Sequence, residues 1–124
     1  MAPDPNDAFQ RISVADARAL VDAGRGVLVD ARDRRLYDNA HATGAISLPL
    51  SEIEAANGHV TPNAVPPDRI LILYCALKDE ATSARAARAL IAGGFDSERV
   101  AVLVGGISAW YQAGYGLEKW NDPS

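Results

Sequence analysis

The chain has 124 residues and is 48% hydrophobic, which is enough for one domain with a core of its own. Its formal net charge of −4 argues against nucleic acid and an anionic membrane as partners, because both need a basic face. A lone cysteine cannot form an internal disulfide, which fits a reducing compartment, and we expect a cytoplasmic protein. Residues 1–7 hold neither a basic region nor an apolar run, so we expect no signal peptide and no membrane anchor.

The first half of the chain alternates short apolar runs with helix-forming stretches. Residues 1–8 are polar and contain prolines, which predicts a loose N-terminal arm. Ser13 begins a sequence that resembles a capping box, and Gly24 suits the end of the helix that follows. The predicted elements, in order, are a short edge strand over 9–12, a helix over 14–23, a strand over 27–30, one or two helical turns over 33–39, a strand over 45–48, a helix over 51–56 capped by Ser51, and a loop over 57–68.

The second half of the chain is organised around the continuous apolar run from Ile70 to Tyr74, which predicts a strand buried on both faces. The only cysteine, Cys75, follows this run directly. The elements predicted after it are a loop over 76–82, a helix over 83–91 ended by Gly93-Gly94, a strand over 100–104, a helix over 107–113 and an irregular segment from Gly114 onwards.

Strands that alternate with helices predict the α/β class, with a mainly parallel sheet of about five strands covered by helices on both faces. Ligands bind such sheets beyond the carboxyl ends of the strands. Three candidate features fall at this edge, namely residues 30–32, Cys75 with its loop, and Gly105-Gly106. The fold and the candidate chemistry therefore indicate the same edge of the molecule.

Cys75 is the candidate nucleophile. A thiol at the carboxyl end of a buried strand faces the amino end of the next helix, where backbone N–H groups and the helix dipole favour the reactive thiolate. The alternative is an inert buried cysteine. The surrounding loop consists of Ala76, Leu77, Lys78, Asp79, Glu80, Ala81 and Thr82. Lys78 is its only cation, and the simplest role of its two acids is to complement the helix N-terminus.

The other candidate residues have simpler structural explanations. Asp30 and Arg32 predict a local ion pair that fixes the end of a strand. His41 and His59 show no metal-ligand spacing, and nothing in the sequence couples either histidine to Cys75. We therefore expect no metal, no cofactor and no catalytic triad.

Five motifs follow one another along the chain in the same order as in the rhodanese homology domain, and together they resemble that family. The strand ending in Asp30-Ala-Arg32 resembles the family's Asp-x-Arg, and Val104-Gly-Gly-Ile-Ser-Ala-Trp110 resembles its closing Gly-Gly-x-x-x-Trp. The other three are Tyr37 to Pro49, Leu71 to Cys75, and Ser83 to Phe95. The resemblance covers residues 9–116, which we take as a single rhodanese-like domain, with 117–124 as a C-terminal tail.

The resemblance implies a sulfurtransferase. In this family a cysteine thiolate takes the outer sulfur of a donor such as thiosulfate, becomes a persulfide, and passes that sulfur to a thiol or cyanide. Cys75 is the matching catalytic residue, and loop residues 76–82 with Arg32 are the matching substrate-binding residues. The implied partners are a small sulfur donor, an acceptor and, as a further option, a sulfur-relay protein.

The loop departs from the common family pattern Cys-x-x-Gly-x-Arg-Ser. The matching serine, Ser83, lies eight residues after Cys75, so the loop is two residues longer. It lacks the glycine, and Thr82 stands where the arginine would be. A Cys-x5-Arg phosphatase loop would need arginine at Ala81, which argues against a phosphatase. The two loop acids predict that dianionic thiosulfate is a poor donor.

Three hypotheses remain open from the sequence. The first is an enzyme that moves sulfane sulfur through a Cys75 persulfide. The second is a carrier or sensor that takes persulfide sulfur from a protein partner. The third is a rhodanese-like binding module whose thiol is idle. Turnover of thiosulfate with cyanide separates the first from the others, and persulfide formation with a donor protein separates the second from the third.

Overall fold

The computed structural model describes residues 9–59, 68–76 and 80–119. The strands in these ranges are β1 (Gln10–Ile12), β2 (Gly26–Asp30), β3 (Ala40–Ala42), β4 (Ile46–Ser47), β5 (Ile70–Tyr74), β6 (Val100–Leu103) and β7 (Leu117–Lys119). The α-helices are α1 (Val14–Asp22), α2 (Arg34–Asn39), α3 (Leu50–Ala55), α4 (Ala81–Ala92) and α5 (Gly106–Gln112), and a 3-10 helix spans Ser97–Arg99.

Five of the strands form a parallel sheet in the order β1-β6-β5-β2-β4, with β5 at its centre. The register pairs Asp30 of β2 with Tyr74 of β5, so the two strands end at the same level. The backbone N–H of Ala31 donates to the carbonyl of Tyr74 at 3.0 Å and continues this contact past the strand ends. The predicted carboxyl-end edge therefore brings the residues after β2 beside Cys75.

The sheet is covered on both faces, as predicted. Leu71 and Leu73 of β5 pack in one hydrophobic cluster with side chains of α3 and α4. Ile72 and Tyr74 point to the opposite face and pack in a second cluster with side chains of α1 and α5. All four β5 side chains are fully buried, as the continuous apolar run predicted for a central strand. The α/β fold class is confirmed.

The N-terminal elements follow the sequence pattern closely. The edge strand predicted over 9–12 is β1, and α1 begins after Ser13, whose Oγ accepts from the Asp16 N–H at 3.1 Å. The strands predicted over 27–30 and 45–48 are β2 and β4, and α2 lies in the stretch predicted to make one or two helical turns. Most of the loop predicted over 57–68 lies outside the described residues.

Among the helix starts that differ from the prediction, two change the role of a residue near the candidate site. The short third helix begins at Leu50 with Pro49 as its N-cap, so Ser51 as the cap was wrong. The carbonyl of Pro49 accepts from the N–H groups of Glu52 at 3.0 Å and Ile53 at 3.1 Å, so helical bonding begins one residue earlier. The main helix, α4, begins at Ala81 rather than Ser83. A left-handed turn at Glu80 starts it two residues early, so Ala81 and Thr82 belong to the helix and not to the loop.

The irregular segment predicted from Gly114 onwards was wrong, because it contains β7. This strand pairs antiparallel with β3, and the register aligns His41 with Glu118. Neither strand was predicted, since each is three residues long and gains its hydrogen bonds only from a partner far away in sequence. The closing turn is fixed by Trp110, whose indole N–H donates to the carbonyl of Gly116 at 2.9 Å.

The helices described here are short. Within residues 9–59, 68–76 and 80–119, none is long and apolar enough to cross a membrane.

Candidate active site

A cleft of about 330 Å³ opens at the carboxyl edge of the sheet, between the residues that follow β2 and those that follow β5. We call it the Cys75 cleft. Its lining comes from residues 31–33 and Leu36, from residues 49–51 at the start of α3, and from Cys75, Ala76 and Thr82. The backbone N–H of Leu50 donates to the carbonyl of Ala31 at 3.0 Å, which fixes one wall against the other.

Cys75 lines this cleft and is 2% exposed. Its Sγ lies 3.5 Å from the Oγ of Ser83, the third residue of α4. Its carbonyl accepts the N–H of Ile107 at 3.0 Å, so the start of α5 holds the Cys75 backbone from the other side. The thiol therefore lies against the first turn of α4, as the sequence predicted.

Ser83 is a residue of the site that the sequence analysis aligned with the family motif without assigning it a role. Its side chain is fully buried, and its hydroxyl donates to the carbonyl of Glu80 at 3.1 Å. A hydroxyl carries one proton, so Ser83 cannot donate to Glu80 and to sulfur at the same time. With a neutral thiol the S–H group donates to Ser83. With a thiolate the serine proton turns towards Sγ.

The first turn of α4 supplies the positive end of the helix dipole beside this sulfur. The N–H groups of the first turn of a helix have no carbonyl partner within the helix, and the aligned peptide dipoles add partial positive charge there. The first intrahelical bond runs from the N–H of Ala84 to the carbonyl of Glu80, at 2.8 Å. Negative charge that develops on this sulfur during a reaction would therefore lie beside the positive end of the helix and within reach of the Ser83 hydroxyl.

Glu80 is not an unpaired acid facing the cleft. Its carboxylate is only 14% exposed and accepts from the guanidinium of Arg11 on β1 at 2.8 Å. This corrects the sequence-based charge count, which set Glu80 and Asp79 against Lys78 alone. Leu77, Lys78 and Asp79 lie outside the described residues, and their predicted substrate-binding role stays a prediction.

The predicted ion pair of Asp30 and Arg32 is present and buried. The Arg32 guanidinium donates to both carboxylate oxygens of Asp30, at 2.7 to 3.1 Å, and to the carbonyl of Ala40 at 2.6 Å. Arg32 also lines the Cys75 cleft. Burial alone would lower the pKa of Arg32, but the bonds and charge of Asp30 outweigh it and raise that pKa, so the arginine stays charged. Its predicted contact with substrate stays a prediction.

Tyr74 completes this buried network directly before the cysteine. Its hydroxyl donates to Asp30 at 2.8 Å and accepts the N–H of Ala42 at 3.1 Å. Burial and the negative charge of Asp30 raise the pKa of Tyr74 far above its usual value, so the phenol keeps its proton. The network ties the ends of β2 and β5 to β3, directly before Cys75.

The histidines take no part in the described site. His41 stacks on Tyr37, contacts the carbonyl of that residue through Nδ1 at 2.8 Å, and reaches Glu118 through Nε2 at 2.9 Å. It fastens β3 to β7. His59 lies near the end of α3, beside a shallow cavity that does not include Cys75. Among the described residues, no group of three or more His, Cys, Asp or Glu side chains could hold a metal ion.

Comparison with known proteins decides the family. The family model described as Rhodanese-like domain matches residues 13–113. The chain belongs to the rhodanese-like domain family. The matched range includes Cys75, Ser83 and the Asp30–Arg32 pair, so the cleft lies within it.

Solved structures agree with this assignment. The BH2092 protein from Bacillus halodurans aligns with a TM-score of 0.74 and 26% identity, over 91% of this chain and 78% of that chain. The thiosulfate sulfurtransferase from Pseudomonas aeruginosa aligns with a TM-score of 0.72 and 26% identity, over 94% of this chain and 23% of that chain. Both similarities extend over nearly the whole of this rhodanese-like domain.

Two relatives by sequence carry sulfurtransferase names. The chain is 31% identical to the thiosulfate sulfurtransferase GlpE of Shewanella oneidensis, over 86% of this chain and 96% of that protein. It is 36% identical to the probable adenylyltransferase/sulfurtransferase MoeZ of Mycobacterium tuberculosis, over 80% of this chain but only 24% of that protein. The chain thus matches about a quarter of MoeZ. These similarities support a sulfurtransferase-type role at the level of the family.

Proposed function

We propose that this protein is a sulfurtransferase that carries sulfane sulfur on Cys75 as a persulfide. The observation that supports this most strongly is the position of the Cys75 thiol. It lines a cleft of about 330 Å³, against the first turn of α4 and 3.5 Å from the buried hydroxyl of Ser83. An anion on that sulfur gains from the helix dipole and from a hydrogen-bond donor that is already in place.

The reaction has two steps that share the cysteine sulfur. In the first, the Cys75 thiolate attacks the outer sulfur of the donor. A new S–S bond forms, the S–S bond of the donor breaks, and its electron pair leaves with sulfite or with the thiolate of a persulfide donor. In the second, an acceptor thiolate or cyanide attacks the terminal sulfur of the persulfide. The Cys75 thiolate leaves and is regenerated, and thiocyanate or a new persulfide departs.

The residues around the sulfur have distinct tasks in this scheme. Ser83 turns its proton from the Glu80 carbonyl to the sulfur when negative charge develops there. The first turn of α4 supplies positive potential in a site largely closed to water, where it is worth more than in bulk solvent. Arg32 forms one wall of the cleft and is held in place by Asp30, whose carboxylate balances most of its charge.

The donor favoured by this cleft is a persulfide rather than thiosulfate. Among the described residues that line the cleft, Arg32 is the one cation, and its guanidinium already donates to both oxygens of Asp30. Asp33 lines the same cleft and carries a negative charge. A dianion such as thiosulfate meets little uncompensated positive charge there, whereas a persulfide brings a smaller charge.

Replacing Asp33 by Asn tests this proposal about the donor. The Asp33 carboxylate accepts from the N–H of Arg35 at 3.0 Å as the N-cap of α2, and Asn serves equally well as a cap. The change therefore removes charge while keeping the helix start. Loss of one surface charge, worth up to about 1 kcal/mol, should lower the KM for thiosulfate by about 2- to 5-fold and leave the KM for a neutral or singly charged persulfide less changed.

Asp96→Asn is the matched control for this measurement. Asp96 caps the 3-10 helix by accepting from the N–H of Glu98 at 3.0 Å. That helix directly precedes β6 and so lies at the amino ends of the parallel strands, whereas the Cys75 cleft lies at their carboxyl ends. Replacing Asp96 should leave both KM values unchanged. A KM for thiosulfate that does not fall in Asp33→Asn, or falls equally in Asp96→Asn, would refute the electrostatic explanation of donor choice.

A further inference from the structure

The start of α4 carries an ion pair to the edge strand of the sheet. Glu80 is the N-cap of α4, and its carboxylate binds Arg11 at 2.8 Å across 69 residues of sequence. Arg11 belongs to the edge strand β1, where it pairs in register with Val102 of β6. Its guanidinium also lies 5.4 Å from the centre of the Phe9 ring, which gives it a second support.

The backbone of Glu80 has an unusual conformation. Its φ of 55° lies in the left-handed region, which residues other than glycine rarely adopt. In that conformation its carbonyl accepts from the Ser83 hydroxyl at 3.1 Å and from the Ala84 N–H at 2.8 Å. The carboxylate of the same residue is only 14% exposed while its partner Arg11 is 49% exposed, so the acid is the anchored end of the pair.

A short chain of contacts leads from this ion pair to the reactive sulfur. Arg11 binds the Glu80 carboxylate, the Glu80 carbonyl accepts from Ser83, and the Ser83 oxygen lies 3.5 Å from the sulfur of Cys75. A shift of Glu80 moves both the acceptor that orients the Ser83 proton and the start of α4. Neither Arg11 nor Glu80 lines the Cys75 cleft, so neither is in a position to touch a donor bound there.

We propose that the Arg11–Glu80 ion pair is a positioning device that holds Ser83 and the first turn of α4 against Cys75. The inference rests on the proposed sulfur transfer for its catalytic consequence. Its structural part, a closed arrangement around a buried thiol, is independent of the reaction. Arg11 and Glu80 are positioning residues, because they act through Ser83 and not on the substrate.

The pair could affect the reaction in a second way, through its charges, and the two effects have different signatures. An electrostatic effect on a dianionic donor has opposite signs for the two residues, so Arg11→Gln raises the KM for thiosulfate and Glu80→Gln lowers it. A positioning effect has the same sign for both residues and acts on kcat. The two single variants and the double variant then behave alike, because the device is lost once either partner is gone.

The rate at which iodoacetamide alkylates Cys75, measured at a pH where the thiol is fully ionised in every protein, reports the positioning without a contribution from the thiolate fraction. Cys75 is the only thiol of the chain and is 2% exposed, so the reagent reaches the sulfur only when neighbouring residues move. Arg11→Gln, Glu80→Gln and the double variant should each be alkylated about 3- to 10-fold faster than wild type, and should show kcat values lower by a similar factor, since small misplacements near reacting atoms are costly.

Two further measurements make the test specific. The charge-reversed double variant, Arg11→Glu with Glu80→Arg, should recover most of the slow alkylation and of the kcat. Sodium chloride at about 1 M, where the screening length falls to about 3 Å, should bring wild type towards the variants and leave the variants unchanged. Sulfur loading of each protein is followed by intact mass in parallel.

Arg85→Gln is the matched control. Arg85 lies on α4 and binds Glu54 of α3 at 2.7 Å, so its replacement removes another ion pair between elements without touching the start of the helix. It should lower the melting temperature only slightly, because exposed pairs contribute about 0–1 kcal/mol, and it should leave alkylation unchanged.

The proposal is overturned if alkylation and kcat do not change in the Arg11 and Glu80 variants, if Arg85→Gln accelerates alkylation equally, or if only KM changes and with opposite signs. A wild-type protein that never loads sulfur would refute the proposed function instead. In that case the alkylation rates and their recovery in the charge-reversed variant still decide whether the ion pair holds Cys75.

Discussion

Replacing Ser83 by Ala should slow the loading of sulfur onto Cys75 while changing the stability of the protein little. The change removes a single oxygen from a fully buried side chain. That oxygen is within 3.5 Å of the Cys75 sulfur and 3.1 Å of the Glu80 carbonyl. Because alanine has no proton to offer, negative charge on the sulfur loses one of its stabilising groups.

The size of the effect follows from the two contacts of Ser83. A hydrogen bond to a charged group contributes about 1.5–3 kcal/mol, and a neutral one contributes about 1 kcal/mol. Ser83 gives up its bond to Glu80 when it turns to the sulfur, so the net gain in the transition state is about 0.5–2 kcal/mol. At 1.36 kcal/mol for each factor of ten, Ser83→Ala should slow loading by about 2- to 30-fold.

Ser83→Ala should change the free energy of unfolding less than it changes the free energy of the transition state for sulfur loading. The Glu80 carbonyl still accepts from the N–H of Ala84 at 2.8 Å, so it is not left without a partner. The free energy of unfolding, measured with urea, should therefore fall by about 0.5–1 kcal/mol. Single-turnover loading, followed by quenching and intact mass, gives the rate without a contribution from the acceptor.

Ser108→Ala is the matched control for this experiment. Ser108 lies on α5, where its Oγ accepts from Gln112 at 3.3 Å, and it lines a cavity whose lining does not include Cys75. Its replacement should leave the loading rate unchanged. A loading rate in Ser83→Ala equal to that of wild type would refute the role assigned to the Ser83 hydroxyl.

Two further predictions concern Tyr74. Tyr74→Phe should lower the free energy of unfolding by about 2–4 kcal/mol, because Ala42 loses an acceptor and Asp30 a donor inside the core; the exposed Tyr111→Phe should change it little, and equal effects would contradict this. The second prediction is that the protein loses stability above pH 10.0, the ordinary pKa of tyrosine. Burial and, next to it, the charge of Asp30 raise the pKa of Tyr74 in the folded protein. Above pH 10.0 the Tyr74 hydroxyl therefore loses its proton only in the unfolded chain. The contribution of Tyr74 to the free energy of unfolding is thus present below this pH and is lost as the pH rises. Tyr74→Phe should reduce the slope of the free energy of unfolding against pH by about 1.4 kcal/mol per pH unit. Parallel curves for wild type and Tyr74→Phe would speak against the raised pKa.

Those parts of the fold that local patterns determine could be predicted from the sequence. The run from Ile70 to Tyr74 predicts a central strand because only burial on both faces accommodates five apolar residues in succession. The pairing of β3 with β7 could not be predicted, because three-residue strands have too short a pattern and depend on a partner distant in sequence. The early start of α4 depends on the left-handed turn at Glu80, which the side chain of a glutamate does not indicate.

The same distinction applies to the site. Cys75 at a strand end and the Asp30–Arg32 pair are local features, and both are where the sequence placed them. The partnership of Glu80 with Arg11 joins positions 69 residues apart, so a charge count along the chain treated Glu80 as a free acid. Ser83 was recognisable through the family motif, but its contact with the sulfur became visible only once α4 was placed.

The central claim is that Cys75 itself accepts a sulfur atom, and intact mass tests it most directly. Wild type and Cys75→Ala are each treated with a persulfide donor and with thiosulfate, and are then measured before and after addition of cyanide. Wild type should gain the mass of one sulfur atom, more completely from the persulfide, and lose it to cyanide. Cys75→Ala should stay folded, with a loss of about 1 kcal/mol in the free energy of unfolding, and should gain nothing. A wild-type mass that stays unchanged with both donors, or an equal gain in Cys75→Ala, would contradict the proposed function.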